Sequence, residues 1–116
     1  MGYQSWLLHL LQRLVKTWPF IRGNMVETVT HFTVYFEGHV QGVGFRLATF
    51  QLAKGYEVTG YVENLIDGRV QLELEGDREE CLGLVRALSE EMAGFIRDKT
   101  RLESTRQPHW KKFTIR

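Results

Sequence analysis

The sequence predicts an α+β domain, an antiparallel sheet with two helices on one face, in the order β-α-β-β-α-β and preceded by an amphipathic helix. Three observations predict it. Short runs rich in aromatic and β-branched residues alternate with two segments of 3.6-residue periodicity. An Asp-Gly pair stands between the two middle runs, as in a hairpin. The run after that pair alternates strictly between apolar and polar residues, which suits a sheet with one covered and one wet face. With 116 residues, 43% hydrophobic and 25% charged, the chain suits one domain and a short appendage.

The appendage comes first. Residues 1–26 hold three cations (Arg13, Lys16, Arg22) and no acid, while residues 27–116 carry 12 Lys+Arg against 14 Asp+Glu, a net of −2. Within 4–18, Trp6, Leu7, Leu10, Leu11, Leu14, Val15 and Trp18 form a helical stripe, broken by Leu8. Gln12, Arg13, Lys16 and Thr17 face away, and Pro19 ends the helix. Three readings stand side by side: a membrane-surface or self-associating helix, a helix docked on its own domain, or an extension upstream of a natural start at Met25.

Residues 32–37 (FTVYFE) read as the first strand. A loop with three glycines, 38–44, leads into a helix marked by Phe45, Ala48, Thr49, Leu52 and Ala53, which Gly55 is expected to stop in the left-handed position. Residues 57–63 (EVTGYVE) give the second strand, Ile66–Arg69 a turn centred on Asp67-Gly68, and 69–75 (RVQLELE) the third strand. There Val70, Leu72 and Leu74 face the core, and Gln71, Glu73 and Glu75 face water. Asp77 and Glu80 resemble a capping box. The helix after them places Cys81, Leu82, Val85, Leu88, Met92, Phe95 and Ile96 inward. Residues 100–106 form a short strand, and Phe113-Thr114-Ile115 another. This order is that of the ferredoxin-like sandwich.

Composition excludes several classes of function. A net charge of +1 gives no basic field for nucleic acid. Cys81, the single cysteine, permits no internal disulfide, and its helical position reads as packing. His9, His31, His39 and His109 have no metal-ligand spacing, so no metal and no cofactor are expected. No apolar stretch approaches the roughly 18 residues of a membrane span, and a cytoplasmic location is expected.

Chemistry is expected in the loop Gly38 to Arg46. Glycines admit turns closed to other residues, and the first amides of a helix have no internal partners. Their partial positive charge seats an anion, and Arg46 adds a full charge in a planar fork. No Walker triplet is present, and Leu47 stands where a dinucleotide fingerprint needs a third glycine. On these residues alone the loop is an anion seat or a plain strand-to-helix connector. Asn64, ending the second strand, shares the face of Val58, Gly60 and Val62. In the ferredoxin-like order it lies roughly 10 Å across from the loop, two strand spacings away. It is a turn residue or a polar group aimed at that gap.

VQGVGFR at 40–46, GYVEN at 60–64, DGRV at 67–70 and the closing FTI together resemble an acylphosphatase, over about residues 31–116. The resemblance implies that Gln41, Gly42, Val43, Gly44, Phe45 and Arg46 bind the phosphate of a small-molecule acyl phosphate, and that Asn64 orients the attacking water. It implies no metal. Leu65 departs from the Ser or Thr often found after the asparagine, Tyr61 from a Trp, and Leu47 from an aromatic. The leaving group of an acyl phosphate is a carboxylate, stable unprotonated at pH 7, so no strong general acid is required. The transfer rests on positioning and electrostatics. Two rivals stand beside hydrolysis. One is a non-catalytic module holding phosphate or carbamoyl phosphate. The other is an RNA-binding domain, opposed by a third strand without exposed aromatics.

Overall fold

A computed structural model describes residues 27–116; the expected helix over 4–18 lies outside the described residues, as does the extension boundary at residue 26. The elements are β1 (Val29–Gly38), α1 (Phe45–Ala53), β2 (Val58–Asn64), β3 (Val70–Gly76), α2 (Arg78–Glu91), β4 (Ile96–Arg106) and β5 (Phe113–Ile115). The sheet order is β4-β1-β3-β2-β5. The first four strands pair antiparallel as expected, and β5 adds parallel to β2, so the sheet is mixed. Both β1 and β2 run against β3, which brings their C-terminal ends to one edge of the sheet.

One face of the sheet carries the core. Phe32, Val34 and Phe36 of β1, Val62 of β2, and Val70, Leu72 and Leu74 of β3 recur at the period of two and are fully buried. They pack against Phe45 and Ala53 of α1 and Cys81, Leu84, Val85 and Leu88 of α2. Burial pushes the Cys81 thiol up to about 12, with help from nearby acids, so it is inert packing at neutral pH. Gly60 is required where β2 crosses β3, because a Cβ there would lie 1.8 Å from the Glu73 carbonyl oxygen. Among the described residues, no helix is long and apolar enough to cross a membrane.

Several local expectations are corrected. Gly55 does not take the left-handed conformation; Lys54 stays right-handed, and Gly55 N–H donates to the Leu52 carbonyl at 3.0 Å, tightening the last turn. The β2–β3 hairpin has a three-residue loop rather than two. Gly68 N–H donates to Leu65, Leu65 N–H to Arg69, and Gly68 takes φ 95° as the bulge residue. Asp77 is the N-cap of α2, but its side chain makes no capping bond to the helix, and a Glu80 carboxylate oxygen accepts the Glu57 N–H. The helix ends before Phe95, which is exposed, and Ile96 already belongs to β4, paired with Gly38. The short strand expected at 100–106 therefore runs from Ile96.

The expected wet face of β3 is in fact covered. Glu73 and Glu75 are buried: the segment after β4 folds back onto Glu75, and His31 and Gln71 bond Glu73. Glu75 accepts the His109 and Trp110 N–H groups at 2.7 and 3.0 Å and the Arg106 Nε–H at 3.0 Å. The Trp110 ring lies edge-on to Tyr61, with Arg106 over it, and His31 bonds Glu73 at 2.6 Å. Burial works against the Glu75 charge, but the His109 and Trp110 amides and the Arg106 guanidinium outweigh it and hold the carboxyl below the ordinary glutamate range. Glu75→Gln is expected to cost about 1–3 kcal/mol of stability at neutral pH. A depressed carboxyl stabilises above its unfolded value, and that contribution is lost as pH falls through the folded value. The melting-temperature gap between wild type and Glu75→Gln should therefore close in acid. A gap unchanged from neutral to acid pH would mean that the Glu75 charge plays no part.

Candidate active site

The β1–α1 loop is shaped by two glycines. Gly42 and Gly44 take φ 77° and 80°, the left-handed region, while a Cβ at either would meet no atom within 4 Å. The dihedral, not crowding, requires glycine here, and the space above both is open. Gly44 is the N-cap of α1 and brings no side chain to cap it, and the first turn holds no acid. The first intrahelical bond runs from Ala48 N–H to the Gly44 carbonyl at 3.0 Å. The amides of Phe45, Arg46 and Leu47 precede it and have no partner within the helix, which leaves the positive end of α1 for a ligand.

A depression of about 260 Å³ opens at this helix end, lined by Val40, Gly42, Gly44, Phe45, Arg46, Leu47, Asn64 and Ile115. Gly42, Gly44, Phe45, Arg46 and Asn64 thus meet as the sequence suggests. The Asn64 Oδ1 is buried and makes no hydrogen bond, a cost of about 1–3 kcal/mol unless a ligand or water partners it. Arg46 is exposed, and its Nη1 donates to the main-chain oxygen of Arg116 at 3.0 Å, holding one end of the guanidinium at the end of β5.

Gln41 and Val43 do not line the depression. The Gln41 Nε2 donates to the Leu65 and Arg69 carbonyls at 2.7 and 2.9 Å, so its side chain ties the loop to the β2–β3 hairpin. Val43 packs against the core. Val40, Leu47 and Ile115 are lining residues that sequence reasoning missed. Ile115 arrives because β5 pairs parallel to β2, with Ile115 opposite Val62, two residues before Asn64. Among the described residues, no group of three or more His, Cys, Asp or Glu is placed to hold a metal ion.

The family model named Acylphosphatase matches residues 32–115, every element of the fold from within β1 onward. The chain belongs to the acylphosphatase family. It is 50% identical over 48 residues to an acylphosphatase of Caldanaerobacter subterraneus, covering 41% of this chain and 53% of that relative. The match therefore spans about half of that curated relative's length. Among solved structures it is similar to the acylphosphatase of Bacillus subtilis, with 27% identity and a TM-score of 0.67, covering 74% of this chain and 97% of that one. It is also similar to full-length HypF in its phosphate- and nucleotide-bound form, with 27% identity and a TM-score of 0.62, covering 81% of this chain but 12% of that one. The acylphosphatase unit thus has a likeness within a much longer protein.

Proposed function

We propose that this acylphosphatase-family protein hydrolyses the carboxyl-phosphate bond of small-molecule acyl phosphates. One observation carries the reading: Asn64, the uncapped start of α1 and Arg46 all line one depression. The amides at the end of the loop and the free part of the Arg46 fork hold the phosphoryl oxygens, where charge gathers in a loose transition state. The Asn64 side-chain amide hydrogen-bonds a water and aims its oxygen at phosphorus. The new P–O bond forms as the bond to the acyl oxygen breaks, and that electron pair leaves as carboxylate. Both protons of the water remain with the inorganic phosphate produced. Gln41 serves the cradle indirectly, by fixing the loop to the hairpin that carries Asn64.

The test is release of inorganic phosphate from a synthetic acyl phosphate, compared with the uncatalysed rate in the same buffer. The likeness to 12% of HypF favours a second reading, a module that binds phosphate or carbamoyl phosphate without turnover. Calorimetric binding of phosphate with no acceleration of hydrolysis would decide for it.

Residues 27–116 are proposed as the working unit, since they hold every element described and both motifs. A chain starting at Met25 is then expected to fold and to hydrolyse acyl phosphate at a similar rate. Its expected loss is association, with anionic vesicles or a second copy, through the stripe of Trp6, Leu10, Leu14 and Trp18. Thermal melting, activity and sedimentation check this. A large fall in melting temperature would place the stripe in the core and move the boundary.

A further inference from the structure

The depression has a floor and a rim of different character. Val40 and Phe45 are 0% and 2% exposed and close it from below. Leu47 and Ile115, 57% and 42% exposed, line the same depression as large apolar side chains open to solvent. They sit on separate elements, α1 and β5, which the Arg46 bond to the Arg116 main-chain oxygen draws together. Other exposed apolar residues, such as Leu102 on β4, lie elsewhere, and β4 is at the opposite edge of the sheet.

In-line displacement fixes which part of a substrate meets that rim. The nucleophile and the leaving group lie on opposite sides of phosphorus. Asn64 is half-buried while Leu47 and Ile115 are exposed, so a water held at Asn64 lies toward the floor and the departing carboxylate points out past the rim. The acyl chain begins one carbon beyond that carboxylate. Resting on the hydrolytic reading above, we infer that Leu47 and Ile115 form an acyl subsite selecting acyl phosphates with an apolar chain over short or polar ones. Neither side chain offers a charge or a hydrogen bond to a polar acyl group. Each methylene laid against them leaves water.

The test separates binding from turnover. Alkylphosphonates from methyl to hexyl present the same anion with a growing chain and cannot be hydrolysed as anhydrides. Their affinity, measured by calorimetry, is expected to rise about tenfold across the series, from partial burial of the added methylenes. In Leu47→Ser or Ile115→Ser the rise should shrink to about threefold or less. Leu47 is exposed enough for that change not to threaten folding, and Leu102→Ser should keep the full rise. In acyl phosphates, kcat/KM should follow the same order from acetyl to hexanoyl. A flat affinity series, or a steep one that neither rim variant reduces, would overturn the subsite. A steep series reduced by both variants, with no acyl phosphate hydrolysed, would uphold the subsite and remove the hydrolytic reading instead.

Discussion

Arg46→Lys is expected to lower turnover and phosphate affinity together, by about 2–4 kcal/mol in transition-state terms, or about 30- to 1,000-fold in kcat/KM. The reason is geometric. One end of the guanidinium is held by the main-chain oxygen of Arg116, and the rest of the planar fork remains for two phosphoryl oxygens. An ammonium is a compact point of charge whose three donors do not match the planar, two-oxygen geometry of the fork. Because Arg46 is exposed and packs in no core, the melting temperature should hold. The measurements are kcat/KM on an acyl phosphate, the inhibition constant of inorganic phosphate, and a thermal melt. Kinetics close to wild type in Arg46→Lys would take Arg46 out of the site.

Asn64→Ala should separate turnover from binding. Its proposed task is to place water, so kcat should fall about a hundredfold or more while the inhibition constant of phosphate stays near that of the wild type. Stability should move the other way. The wild-type protein keeps a buried oxygen without a partner, and removing such a group relieves a desolvation cost. An unchanged or raised melting temperature beside lost turnover would mark a residue kept for chemistry at the expense of stability. Lost phosphate binding with normal turnover of bound substrate would exchange the roles of Asn64 and Arg46.

The placement of Arg46 and Asn64 was legible in the sequence because each stands at an element end that periodicity locates, a glycine loop before a helix and the close of a strand; their roles were implied by the family resemblance. The strand order then brings those ends to one edge. Ile115 was not legible as a site residue, since parallel pairing of a three-residue strand leaves no local pattern. The burial of Glu73 and Glu75 was hidden for a similar reason. Their alternation is that of a wet face, whereas Glu75 is held by Arg106, His109 and Trp110, some thirty residues on, and Glu73 by His31 of another strand. The end of α2 was misread because Phe95 and Ile96 continue the spacing of Leu88 and Met92 after the backbone has left the helix. The resemblance implied Gln41 in the cradle, but it carries no sign that the side chain bonds the Leu65 and Arg69 carbonyls of the hairpin.

The sheet order also sets a timetable for folding. β1 is the first described strand, yet both of its neighbours come late: Thr30 pairs with Gly76 and Val29 with Arg106. During synthesis β1 must wait, with Phe32, Val34 and Phe36 unpaired, until β3 emerges, and its other edge waits for β4. The β2–β3 hairpin has no such delay, because its two strands are close in sequence. Contacts of long sequence separation are paid for in loop-closure entropy before they return any energy, which slows folding relative to helical proteins of equal size. The nascent chain therefore passes through a stage in which one of its most apolar strands is complete and unpaired, the stage at which a chaperone, or another copy of the same strand, competes most effectively for it.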